Sequence, residues 1–232
     1  MKAIKHRKRV IWFIGLGAVQ NWWETDMCMQ LERHTKHEYT RYRLPPMKVV
    51  RLRKIMIERF MLETSRSKDT LVMLDVDHDH NPHIVNRLVE QDIYGVHTSL
   101  TFKRAATMPV ASVMDYPKGF EHGEVATHVG EIRAGEILEC DRGGHAAMAV
   151  QRRVFQGILD LGYTIEQFYQ YIGQRDCDQH FAQLCHEAGF KHYVNTGIIS
   201  PHLRNEPRYI GVPEWDKYEK GKGLGGWITD EK

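Results

Sequence analysis

The run Leu71-Val72-Met73-Leu74 places an apolar side chain at every position and then stops at Asp75. Successive side chains of a strand point to opposite faces, so such a run must be covered on both sides. That is the condition of a strand in a largely parallel sheet flanked by helices, and not of a sheet with one solvated face. Asp75, Asp77, His78, Asp79, His80 and His83 follow within the next few positions. Pro82 cannot donate to a sheet ladder and argues against continuation of the strand. The charged cluster is therefore expected at or just past a strand's carboxyl end, the edge where open α/β sheets bind ligands.

The rest of the chain alternates in the same way. Residues 10–14 read as a first buried strand, with Gly15 and Gly17 in the turn after it. A polar stretch from 24 to 44 closes at Pro45-Pro46. Val49, Leu52, Met56 and Phe60 recur at three- and four-residue spacing and predict a helix over 48–64. A short helix follows from Pro82, whose fixed φ suits a first turn, then a strand over 93–102. Residues 105–140 are loop-rich. Helices are predicted over 151–161 and 178–188, and a last strand over 191–198. Strand and helix alternation predicts an α/β sandwich around a largely parallel or mixed sheet.

Composition narrows the class. A chain of 232 residues, 42% hydrophobic and 27% charged, fits one globular domain with a real core. A net charge of +2 is too small to imply nucleic-acid binding by itself. Cys28, Cys140, Cys177 and Cys185 form no CxxC pair, which argues against a zinc ribbon or disulfide framework and for a reducing compartment. The basic start followed by "VIWFIGLGAV" imitates a signal peptide. Its apolar run is too short to span a bilayer, no small-residue cleavage site follows, and no transmembrane segment is expected elsewhere.

Asp75 and Asp77, two positions apart just past a strand end, can reach one hard divalent cation such as Mg²⁺ or Mn²⁺ that leaves positions open for substrate phosphates. The bland alternative is a solvated loop. A metallo-β-lactamase-type site is broken, because "HDHNPH" has Pro82 where an aspartate is required. A DxDxT phosphatase would need threonine where Asp79 stands. A divalent-metal phosphohydrolase using the same DxD, and a non-catalytic binding or structural protein, remain as other readings.

Four segments, in order, resemble the GT-A fold glycosyltransferases, especially the compact family 2-like enzymes of bacteria and bacteriophages. "VVRLRKIMIERFMLETSRSKDTLVMLDVDHDHNPHIVNRLV" resembles that family's arginine-bearing helix, buried strand, DxD and following helix. "ECDRGGHAAMAVQRRVFQGI" resembles its glycine loop, small-residue strand and next helix. "RDCDQHFAQLCHEAGFKHYVNTGI" resembles its acidic segment, and "SPHL" the histidine that closes the metal site. The resemblance implies a Rossmann-like three-layer sandwich with a mainly parallel, mixed sheet. It also implies one catalytic domain over 1–203, with a nucleotide-sugar half to about 104 and an acceptor half from about 105. Residues 204–232 would be a tail packing on or near the active site.

The same resemblance implies roles. Asp77 would ligate Mn²⁺ or Mg²⁺ directly, with Asp75 nearer the ribose and the metal waters, and His202 would be the third ligand. Asp178 would be the general base; Cys177 replaces the usual glutamate before it, so Asp176 stays open as the other candidate. Arg53, Gly15, Asp75, Gly143 and Gly144 would line the UDP- or GDP-sugar donor, although Lys54 replaces the asparagine expected after Arg53. Bland readings stand beside these. Asp178 could be a helix N-cap, Gly143-Gly144 a plain turn and Arg53 a solvated side chain. His78, His80 and His83 could bind metal or lie on the surface, and His202 alone would read as a surface histidine.

The expected reaction is inverting transfer of a sugar to an acceptor hydroxyl. Lys2, Lys5, Arg7, Lys8 and Arg9 form a basic arm, and Trp22-Trp23 offer aromatic faces. Both would suit hydroxymethylated bases in phage-type DNA, and both equally suit a solubilising end and a buried pair with a saccharide acceptor. The expected compartment is the cytoplasm, that of the host if the chain is phage-encoded.

Overall fold

The computed structural model describes residues 10–15, 22–36, 39–45, 47–91, 93–103, 110–111, 113–116, 119–120, 126–127, 132–173, 175–203 and 209–210. Its chain order begins β1 (Val10–Gly15), α1 (Trp22–His34), β2 (Tyr39–Leu44), α2 (Val49–Glu63), β3 (Thr70–Asp75), α3 (Ile84–Glu90) and β4 (Gly95–Leu100). Short strands β5 (Phe102–Lys103), β6 (Val110–Ala111), β7 (Val113–Asp115) and β8 (Ala126–Thr127) follow. Then come β9 (Ile137–Cys140), β10 (Arg142–Gly143), β11 (Ala147–Gln151), α4 (Arg152–Asp160), α5 (Cys177–Glu187), β12 (Lys191–Ile199), β13 (His202–Leu203) and β14 (Tyr209–Ile210).

Seven strands form the central sheet in the order β2-β1-β3-β11-β4-β12-β9. β1, β2, β3, β4 and β12 run the same way, while β11 and β9 run against them. This is the mixed, mainly parallel α/β architecture expected from the sequence. Residues 71–74 of β3 are fully buried. Leu71 and Met73 pack with α2, α4 and α5 on one face, through Met56, Phe60, Phe155 and Phe181. Val72 and Leu74 pack with Leu31 of α1 and Ile84 and Leu88 of α3 on the other. Two apolar layers on one strand thus make three layers of fold.

The polar stretch from 24 to 44 turns out to hold α1 and β2. Its pattern is weak because α1 buries, among its described side chains, only Met27, Cys28 and Leu31, and β2 is an edge strand. Gly15 ends β1 and does not sit in the turn after it; it lies in register with Asp75. Pro82 lies just before α3, whose N-cap is His83. Gly189, at φ 80°, closes α5: its N–H bonds the His186 carbonyl and that of Phe190 bonds Cys185, the pairing that lets a helix end in one left-handed residue.

Candidate functional site

α2 buries Leu52, Arg53, Met56, Ile57 and Phe60, so a guanidinium occupies the apolar stripe of the helix. Arg53 is 1% exposed, which corrects the solvated reading. A charge that deep needs partners. Arg53 Nη2 donates to Asp75 Oδ1 at 2.8 Å and to the His145 carbonyl at 2.9 Å, while its Nε and Nη1 bond nothing among the described residues. The antiparallel entry of β11 makes this possible. Ala147 pairs with Leu74, and Asp75 N–H donates to the Ala146 carbonyl at 2.7 Å, so the chain before β11 crosses the carboxyl end of β3.

Past β3 the DxD loop is pinned from within. His80, 3% exposed, donates Nε2–H to the Asp75 carbonyl at 2.7 Å, and its Nδ1 faces Ser200 Oγ at 3.2 Å. A carbonyl only accepts, so Nδ1 accepts from the Ser200 hydroxyl, which in turn takes the Ser99 hydroxyl at 3.0 Å. Burial and the neighbouring His78 push the His80 pKa down to about 3, and the imidazole stays neutral. Asp79 N–H adds a bond to the Pro201 carbonyl at 2.9 Å. The loop carrying Asp75 and Asp77 is thereby tied to the segment leading to His202. His78 is also buried and lies 2.9 Å from Asp77. The surface reading holds only for His83 among these three histidines.

Burial raises the Asp75 carboxyl pKa, and Arg53 opposes that shift without cancelling it. Asp77 points outward, with 51% of its side chain exposed. His202 is described by its backbone, in β13. Among the described residues no cluster of three or more His, Cys, Asp or Glu side chains gathers as a metal cage. Two carboxylates at a strand end fit Mg²⁺ or Mn²⁺, which are commonly held by one or two carboxylates together with substrate phosphates.

Asp176 and Asp178 have distinct places. Asp176 is the N-cap of α5, accepting from Gln179 N–H at 2.7 Å, and it takes both Arg142 bonds at 2.8 and 3.0 Å. The cap is therefore two residues earlier than the bland reading of Asp178 supposed. Asp178, in the first turn, has 38% of its side chain open and lies 3.1 Å from His145 Nδ1. Burial would raise its pKa; His145, Arg53 and Arg142 outweigh that and hold the carboxyl well below the usual carboxylate range. Asp75 and Asp178 are near enough to influence each other's charge.

Gly143 is buried in β10 and packs so closely that a Cβ there would lie 2.3 Å from Thr98 Oγ1. It is a strand residue and not a plain turn. Gly144 is half-buried beside His145, and Gly15 sits at the β1 end level with Asp75. The structure thus brings Arg53, Asp75, Asp178 and the Gly143–His145 segment together, with Asp77 on the adjoining loop. Arg142 and His145 escaped the sequence reading; their only signal was to flank Gly143-Gly144. The basic arm, Gly17 and all of the tail except residues 209–210 lie outside the described residues.

No protein-family model matches the chain, and no curated protein matches it in sequence. Among solved structures, A197 from STIV is similar at a TM-score of 0.56 and 16% identity, over 89% of this chain and 91% of that one. A structure of GalNAc-T7 with UDP, GalNAc and Mn²⁺ gives 0.47 and 10%, over 86% of this chain and 44% of that one. The inositol-1-phosphate CTP transferase from T. maritima gives 0.41 and 9%, over 82% and 85%. The likeness to A197 is one of fold.

Proposed function

We propose that the chain is a divalent-metal-dependent glycosyltransferase that moves a sugar from a UDP- or GDP-sugar to an acceptor hydroxyl with inversion. One observation carries this reading: Arg53, buried in an apolar stripe, joins the carboxyl end of β3 at Asp75 to the segment that also contacts Asp178. An acid pair at a strand end and on its loop, beside a separate carboxylate held well below the usual carboxylate range, suits a reaction with an anionic leaving group and a proton to remove. Asp77 and Asp75 would hold the cation, with His202 the third candidate. The cation, when bound, neutralises the charge developing on the departing nucleoside diphosphate.

The remaining steps belong to protein groups. Arg53, with two nitrogens that bond nothing among the described residues, keeps positive charge beside Asp75. Asp178 takes the acceptor proton as the hydroxyl oxygen forms its bond to the anomeric carbon and the bond to the diphosphate breaks. A carboxylate of low proton affinity is always in the base form, and it accepts the proton only as attack makes the hydroxyl acidic. One base and one leaving group on opposite sides of the sugar give a single, inverting displacement. We assign the hydroxyl to a saccharide or to hydroxymethylated DNA, which differ in their dependence on salt. Calorimetric titration with UDP and GDP tests donor binding. Binding should need Mn²⁺ and be lost in Asp77→Ala, whereas equal binding with EDTA would refute the metal assignment.

A further inference from the structure

His145 is a buried imidazole with one charged group, Asp178, within hydrogen-bond distance among the described residues. Its side chain is 1% exposed, stacked on His192 with centroids 5.7 Å apart, and met edge-on by Tyr169 at 6.1 Å and Phe181 at 6.0 Å. Among the described residues neither ring nitrogen completes a hydrogen bond, yet Nδ1 stands 3.1 Å from Asp178 Oδ1. The contact has the distance of a hydrogen bond without its alignment, a state that catalytic hydrogen bonds often show before substrate tightens them. A buried polar group with so few partners calls for an explanation. Packing alone does not supply one, because a phenyl ring would fill the same aromatic box without stranding two nitrogens.

We propose that His145 is a positioning residue for Asp178: its Nδ1–H donates to Oδ1 and aims the other carboxylate oxygen at the acceptor hydroxyl. This rests on the reading of Asp178 as the base. An ionised carboxylate only accepts, so the proton of the pair lies on Nδ1. The backbone adds a second constraint, since the His145 carbonyl is gripped by Arg53. Ring and main chain of one residue therefore register the acceptor-side carboxylate against Asp75. Arg142 is engaged by Asp176, and Asp178 Oδ1 has beside it the imidazole and the Cys177 thiol, whose Sγ lies 3.7 Å away.

Two measurements on the full chain test it. In long-range ¹H–¹⁵N spectra of labelled protein, with His145 identified by its loss in His145→Asn, Nδ1 should carry the proton. The His145 pattern should shift in Asp178→Asn and stay put in Asp176→Asn. An unprotonated Nδ1, or indifference to Asp178→Asn, overturns the proposal whatever the variants do. In nucleotide-release assays His145→Phe should lower kcat about 10²-fold, the order expected for a misplaced reacting group, with donor KM unchanged. His145→Asn, whose amide N–H falls near the position of Nδ1, should recover part of that loss. Wild-type turnover in His145→Phe beside an inactive Asp178→Asn defeats this inference alone. Wild-type turnover in Asp178→Asn defeats the base assignment and the inference with it.

Discussion

At the residue scale, the two neighbouring aspartates of α5 make the sharpest contrast. Asp176 is consumed by capping and by Arg142, whereas Asp178 is open and held ionised. Asp178→Asn should cut transfer by about 10²–10⁴-fold while donor affinity, read by titration, survives. Asp176→Ala should instead cost about 1 kcal/mol of stability through the lost cap, visible in denaturant melts, and leave transfer largely intact. The pH dependence of stability follows from His192 as well as His80. Burial, then the nearby His145 and Arg142, hold the His192 pKa well below 6.5, with Asp178 opposing. Below about pH 6.5 the unfolded chain takes up protons that these folded histidines refuse, so stability should fall as pH drops. Asp75, with its raised pKa, works the other way at lower pH. Thermal midpoints between pH 7.5 and 5 should decline less steeply in His192→Phe. Of the site, the acids were legible because they break an apolar run at a strand end, whereas Arg53 was named only through the family resemblance, with a solvated side chain as the other reading. His145 was not legible, because a single histidine carries no periodic signal and its role depends on a contact thirty-three positions away.

At the element scale, the buried strands were easy to read and the edges were not. β3 announces itself because both its faces are apolar. β2 alternates tyrosine and arginine along a sheet edge, where burial is partial and the pattern correspondingly weak. β11 was legible only through resemblance, since Ala147 and Ala149 are small residues on one face of a short strand. The helical layer of α2, α4 and α5 depends on aromatic packing: Phe155 touches the Phe60, Phe168 and Phe181 rings at centroid distances of 5.8 to 6.1 Å. Phe155→Ala should cost about 3–5 kcal/mol, measured by chemical denaturation. Close approach matters at β10. Gly143→Ala would drive a methyl group against Thr98 and Val194 and should destabilise by about 1–3 kcal/mol, shifting His145 with it.

At the scale of the whole molecule, the fold presents one edge at which the ends of β1 and β3, the turn before β11 and the start of α5 converge. No helix among the described residues is long and apolar enough to cross a membrane. If DNA is the acceptor, the arm at Lys2–Arg9 supplies phosphate contacts. Binding to duplex DNA should then weaken steeply with salt, and deleting the arm should flatten that slope; no DNA binding at low salt leaves a saccharide. Metal-dependent sugar transfer is proposed for the edge marked by Asp75, Asp77 and Asp178. Nucleotide release from a panel of UDP- and GDP-sugars, with Mn²⁺ and with excess EDTA, tests it most directly. Release from at least one donor is expected with Mn²⁺, none with EDTA and none in Asp77→Ala; release that is unchanged by EDTA and by Asp77→Ala would contradict the metal-dependent reaction.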